Sequence, residues 1–226
     1  DQRLAVAALA GGAPTDRRMT LPVAPDAREA FSRRLAAQGI ADDAVLVGLQ
    51  AGASTVSRRW AADRFAELAR RLLARNPDCR IVLTGSPAER PLAARIVELV
   101  GDGRVGNAAG EVPLGELPAL MSRLALLVTG DTGPMHLAVA VGTPVVALFA
   151  VSDWRRSGPP ATETGSRHFV IQKWRTCDPC LSKRCPYAEP PCMANISVDE
   201  VEAAVADCLA SQPGRVSEST GPGGST

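Results

Sequence analysis

The chain has 226 residues, a formal net charge of +1 and 46% hydrophobic residues. That suffices for one large domain with a buried core, and the near-neutral charge argues against a nucleic-acid binder. Aromatic residues make up only 4%, so the core must be aliphatic. No apolar run approaches the roughly 18 residues of a membrane-spanning helix, and no stretch has the pattern of a secretory signal. Six cysteines, four of them bunched late, do not form the framework of a small secreted disulfide scaffold. The expected compartment is the cytoplasm.

In chain order, residues 1–26 are rich in Ala, Pro and Arg, with an extended run over 19–23. They read as a linker or the end of a preceding domain. A helix is expected over 27–38, stopped by Gly39. A short apolar strand covers 45–49. A helix follows over 62–74, with Phe65, Leu68, Ala69, Leu72 and Leu73 on one face. A strand over 81–84, a helix over 88–100, a short strand over 104–107 and a helix over 114–122 come next. A strand over 126–129, a helix over 134–141 and a strand over 145–149 continue the alternation. The polar stretch 150–167 is too long for a mere connector. A last strand is expected over 168–171, then the cysteine block, then a helix over 198–209 opened by Ser197 and Glu200 in capping-box spacing. Residues 211–226 have the composition of a disordered tail. The strands are continuously apolar, as in sheets covered on both faces. Strand–helix alternation predicts an α/β fold with a doubly wound, Rossmann-like parallel sheet. Ligands bind such sheets beyond the carboxyl ends of the strands.

Three loops at that edge carry chemistry. Gln50-Ala51-Gly52-Ala53-Ser54-Thr55 follows the first strand, and Arg58 or Arg59 just beyond could meet an anion. Gly85-Ser86-Pro87-Ala88-Glu89 follows the second; Glu89 could accept from a ribose diol or complement the start of a helix. Thr129-Gly130-Asp131-Thr132-Gly133-Pro134-Met135-His136 lies between strand and helix. Its glycines permit a tight turn, and Pro134 suits the first helical position. The helix start offers free amides and a positive dipole end to phosphate. A plain capped turn with a solvated His136 is the simpler alternative. Together the loops suit a nucleotide diphosphate. The G-x-G-x-x-G fingerprint, the G-x-x-x-x-G-K-[ST] loop and the G-x-S-x-G elbow are absent, which weakens dehydrogenase, P-loop and hydrolase readings.

Taken in order, Gly52-Ala53-Ser54 with Arg58-Arg59-Trp60, Gly85 with Glu89, Asn107-Ala108-Ala109-Gly110, and Asp131-Thr132-Gly133-Pro134-Met135-His136 resemble glycosyltransferase family 9, the ADP-heptose:lipopolysaccharide heptosyltransferases. The resemblance runs over about 45–209. It implies one half of a GT-B fold: a donor-binding domain over 27–210, preceded by an acceptor domain of which 1–26 would be the end. It implies that Ser54 and Thr55 line the diphosphate and that Arg58, standing where the family has Lys, neutralises it. Glu89 would hold the ribose. Asp131, Thr132 and Gly133 would meet the phosphates and sugar, with His136 close by. The implied reaction inverts configuration without a metal, so no cofactor is required. The implied donor is an ADP-sugar. The acceptor, lipopolysaccharide or another glycolipid, would be reached through the upstream domain, which also holds the catalytic base. No catalytic residue is therefore expected in this chain. The resemblance also allows peripheral contact with the inner membrane face. A nucleotide-sugar binding module without turnover is the alternative.

Cys177, Cys180, Cys185 and Cys192 could close a structural zinc site or hold an iron–sulfur cluster; reduced thiols or disulfides stabilising a loop are the plainer reading. The family carries a similar segment, which implies a structural role. Cys79 and Cys208 are expected in the core. His168, Trp154, Trp174 and Arg155 are expected in packing or surface roles.

Overall fold

The computed structural model describes residues 8–12, 19–159, 168–177, 180 and 182–211. Six strands form one parallel sheet: β1 Val45–Gln50, β2 Cys79–Thr84, β3 Val105–Asn107, β4 Leu126–Gly130, β5 Val145–Phe149 and β6 Phe169–Gln172. Their order is β3-β2-β1-β4-β5-β6. The helices are α1 Pro25–Ala37, α2 Ala62–Arg75, α3 Arg90–Val100, α4 Leu117–Arg123, α5 Gly133–Ala140, α6 Trp154–Ser157, α7 Pro191–Ala194 and α8 Val198–Ala210.

Period-two alternation along the strands divides the core into two layers. Val47, Leu49, Ile81, Leu83, Leu126, Val128, Val146 and Leu148 face one way and pack with α2, α3 and α8. Leu46, Leu127, Val145, Ala147 and Phe149 face the other way and pack with α1, α4 and α5. Both faces are covered, which is why the strands carry apolar residues throughout. The face predicted for α2 is wholly buried, and Cys79 and Cys208 lie in the core as expected. Trp60 reinforces the first layer: its ring meets Phe65 edge-on at 5.0 Å and its Nε1 donates to the Ile196 carbonyl at 3.0 Å.

Several boundaries differ from the sequence pattern. The expected helix over 88–100 begins as a 3-10 turn, Pro87–Glu89, before α3; Pro91 has no N–H to give, so regular α bonding starts later. The helix expected from 114 begins at Leu117, after a turn in which Glu116 N donates to the Pro113 carbonyl. Gly115 disfavours helix there, and Pro118 suits a first turn. α5 begins at Gly133, so Pro134 is its second residue. The long polar stretch contains α6, whose amide at Arg155 donates to the Asp153 carboxylate at 3.0 Å. Within the expected linker, Met19 and Val23 pack on the α1/α4/α5 layer and Leu21 N donates to the Ala140 carbonyl. The tail expected over 211–226 lies, apart from Ser211, outside the described residues.

Candidate functional site

β1 and β4 are neighbours at the centre of the sheet. The chain leaves β1 for α2 on one face and leaves β4 for α5 on the other. Their carboxyl ends thus border the crevice where a doubly wound sheet takes its ligand.

The loop after β1 is shaped by Arg59. Its Nε and Nη2 both donate to the Ala53 carbonyl, at 3.1 and 2.9 Å. Of the two arginines open to an anion on sequence grounds, Arg59 is therefore occupied in holding the backbone. Arg58 closes the 3-10 turn Val56–Arg58 and turns towards β4. The two loops touch: a β-carbon at Gly130 would stand 2.8 Å from the Arg58 carbonyl oxygen. Only glycine leaves room for that approach.

At the start of α5 the N-cap is Thr132, yet its side chain caps no amide. Its hydroxyl instead pairs with the Thr129 hydroxyl at 3.0 Å. The contrast with α8 is direct, because there Ser197 accepts from Glu200 N in a full capping box. Among the described residues no side chain caps the Gly133 or Met135 amide, and the dipole favours an anion there. Asp131 is buried beside them. Its Oδ2 accepts from the Ser152 hydroxyl at 2.8 Å and lies 3.4 Å from Arg58 Nη2. A carboxylate cannot itself attract phosphate; held this way, it anchors Arg58 and Ser152 at the mouth of the crevice.

On the β2 side, Glu89 takes part in a capping box. Its Oε2 accepts from Ser86 N at 2.8 Å and from the Ser86 hydroxyl at 3.0 Å. The dipole-complementing role considered for Glu89 is therefore real, and it engages one carboxylate oxygen.

These loops enclose a cavity of about 1180 Å³. Ser54, Arg58, Glu89, Asp131, Thr132, Gly133 and His136 all line it. Thr55 is not among the lining residues; its hydroxyl pairs with the Ser57 hydroxyl at 3.3 Å. Beyond Glu89 the wall is apolar, formed by Val112, Leu117, Leu120 and Met121 with the exposed Leu114 at the rim. Such a mixture of apolar wall and few polar groups is typical of small-molecule sites. The sequence pattern assigns no individual role to Gln50, Thr84 or Ser152. The first two are polar residues closing apolar strands, which is a usable signal. Ser152 carries none, because only folding brings it to Asp131.

The cysteine segment packs beside this site. The 3-10 turn Ser182–Arg184 and α7 both contact the turn Val56–Arg58. Cys177, Cys180 and Cys185 are half-buried, Cys192 is buried, and all four are free thiols. Burial pushes the Cys192 thiol up from its ordinary range. Among the described residues no three His, Cys, Asp or Glu side chains form a group that could hold a metal ion. His168 is partly buried, which lowers its pKa from the ordinary value. Trp174 is exposed, whereas Trp154 packs against the α1/α4/α5 layer. No helix among the described residues is long and apolar enough to cross a membrane.

Comparison with known proteins places the chain among glycosyltransferases. Lipooligosaccharide heptosyltransferase 2 of Campylobacter jejuni is 28% identical over 69% of this chain and 48% of its own length. Lipopolysaccharide heptosyltransferase 3 of Escherichia coli K12 is 32% identical over 69% of this chain and 43% of its own length. The chain thus spans about half the length of these relatives. The crystal structure of a glycosyl transferase family 9 protein from Veillonella parvula superposes with a TM-score of 0.75 at 25% identity, covering 92% of this chain and 59% of that one. The family model for glycosyltransferase family 9 (heptosyltransferase) matches residues 3–189, and the chain belongs to that family.

Proposed function

We propose that this chain is the donor-binding half of an inverting GT-B heptosyltransferase that takes ADP-heptose and serves the building of lipopolysaccharide core. One observation carries the reading: seven of the residues assigned to the donor from the sequence line a single cavity at the centre of the sheet edge. The diphosphate sits at the uncapped start of α5, facing Arg58. The ribose meets Glu89, and the adenine lies against Val112, Leu117, Leu120 and Met121. The sugar points out towards Asp131 and His136.

In the transfer, an acceptor hydroxyl attacks the anomeric carbon and its proton passes to a base. The bond from that carbon to the phosphate oxygen breaks, and ADP leaves with the electron pair. The α5 amides and Arg58 stabilise the charge gathering on the diphosphate. The base is assigned to an acceptor domain. Asp131 is assigned to binding, because Ser152 and Arg58 already engage its carboxylate. The acceptor, a lipopolysaccharide or related glycolipid, places the work at the cytoplasmic face of the inner membrane.

Calorimetric titration with ADP, UDP and NAD tests the donor assignment. Preference for ADP is expected; no ADP binding, or equal binding of all three, would sink it. A transfer assay with and without an upstream acceptor domain separates an enzyme half from a module that only binds.

A further inference from the structure

Gln50 ends β1 and lies opposite Thr84, which ends β2. Both are buried, at 3% and 4% exposure. Buried polar groups need partners, and the Gln50 amide finds them on three sides. The Thr84 hydroxyl donates to Gln50 Oε1 at 2.8 Å. Gln50 Nε2 faces the Gly52 carbonyl and Glu89 Oε2, each at 3.4 Å. The amide cannot be turned the other way, because its carbonyl would then meet the Glu89 carboxylate, oxygen to oxygen. The two 3.4 Å contacts are long, so the Thr84 hydroxyl is the firmest hold on the Gln50 amide.

The consequence falls on Glu89. Its Oε2 takes three donors: Ser86 N, the Ser86 hydroxyl and Gln50 Nε2. Among the described residues no donor reaches Oε1. That oxygen lies over Gly52, so close that a β-carbon on Gly52 would stand 1.9 Å from it. Glu89 therefore crosses from the β2 loop to the β1 loop with one oxygen saturated and one left at the cavity wall.

We propose that Gln50, anchored by Thr84, is a positioning residue of the donor site, holding Glu89 so that Oε1 accepts from the ribose hydroxyls of a nucleoside diphosphate. This rests on the donor reading above. Gln50 lines the cavity, but its amide is turned to Thr84, Gly52 and Glu89. It acts by binding the carboxylate oxygen that the ribose does not use, and so fixes where the other oxygen stands. The buried Gln50–Thr84 pair thereby supports, through Glu89, the distinction between a ribose and a sugar without its diol.

The test measures binding of ADP and of 2′,3′-dideoxy-ADP to the 226-residue chain by calorimetry. The unaltered chain should prefer ADP by about tenfold or more, the scale of a hydrogen bond to a charged acceptor. Gln50→Leu should reduce that ratio to roughly threefold or less while leaving the dideoxy affinity unchanged. Thr84→Ser should keep the ratio and Thr84→Val should lower it, a pair that serves even if Gln50→Leu folds poorly. Equal weakening of both nucleotides in Gln50→Leu, or an unchanged ratio, would overturn the inference. So would an unaltered chain that binds ADP without preferring it over the dideoxy form; the donor reading would survive that result. Failure of the unaltered chain to bind ADP at all would remove both.

Discussion

The Arg58 guanidinium stands 3.4 Å from the Asp131 carboxylate, bridging the loops that follow β1 and β4. The contact holds a cation at the entrance to the α5 amides, although Arg58 itself remains more than a third exposed. Exposure limits what the pair contributes to stability. Its value lies in where it leaves the positive charge.

Arg58→Ala should therefore weaken ADP while sparing adenosine. The expected loss for ADP is roughly 1–2 kcal/mol, about five- to thirty-fold. Arg58→Lys should recover part of it, since the charge stays but the forked geometry goes. Calorimetry with ADP and adenosine on the unaltered chain and both variants checks this; equal losses for ADP and adenosine would take Arg58 away from the diphosphate.

Gly52→Ala should evict Glu89, because the added carbon would fall on its carboxylate. The helix start at Pro87–Glu89 loses its capping partner in the same step. Weaker ADP binding is expected, together with a lower melting temperature worth about 1 kcal/mol for the lost cap. An ADP affinity within twofold of the unaltered chain would show that Glu89 is not needed where it stands.

Trp60→Phe tests how firmly the β1 loop is tied to the segment before α8. The indole bond to the Ile196 carbonyl would be lost, at a cost of about 1 kcal/mol. Arg64 also donates to that carbonyl at 3.0 Å, so it is not left without a partner. Denaturant titration should show the loss, and Arg64→Ala combined with Trp60→Phe should cost more than the sum of the two.

The acid limb of the stability curve should carry a contribution from Asp102. Hydrogen bonds from the Arg104 side chain and backbone hold its carboxyl well below the ordinary value, at about 2. A depressed carboxyl stabilises the fold above its ordinary range and gives that stability up as protons bind. The contribution should be full above about pH 4 and fade as pH falls towards about 2. Asp102→Asn should flatten this part of the curve, measured as melting temperature against pH. No difference between the two proteins over that window would dismiss the effect.

Thiol labelling should divide the cysteines by burial. Cys79, Cys192 and Cys208 are buried, and Cys177, Cys180 and Cys185 are half-buried. Burial raises the Cys79 thiol to about 11, so it stays protonated and slow at pH 8. The three half-buried thiols should label first in the native protein, with the rest following in denaturant. Protection of all four segment thiols that a chelator releases would instead report a bound metal.

Much of this protein is determined along the chain itself. Apolar strands alternating with amphipathic helices such as Phe65 to Leu73 set the α/β class, since those periods leave few ways to bury the apolar surface. Gly52, Glu89 and the turn from Asp131 to His136 were legible as ligand chemistry because small residues, a carboxylate and a helix start recur after strands. Local sequence also misplaced some starts, at Pro91 and Gly115, where a missing N–H or backbone freedom outweighs the hydrophobic pattern. What only the tertiary structure decides is partnership. The sheet order sets β1 beside β4 and so brings Arg58 to Asp131. Arg59, identical in chemistry to its neighbour, is drawn to the Ala53 carbonyl instead. Gln50 meets Thr84 and Glu89 across strands tens of residues apart in the chain. These pairings depend on register and on which side chain reaches a buried oxygen first, and no spacing along one chain encodes that.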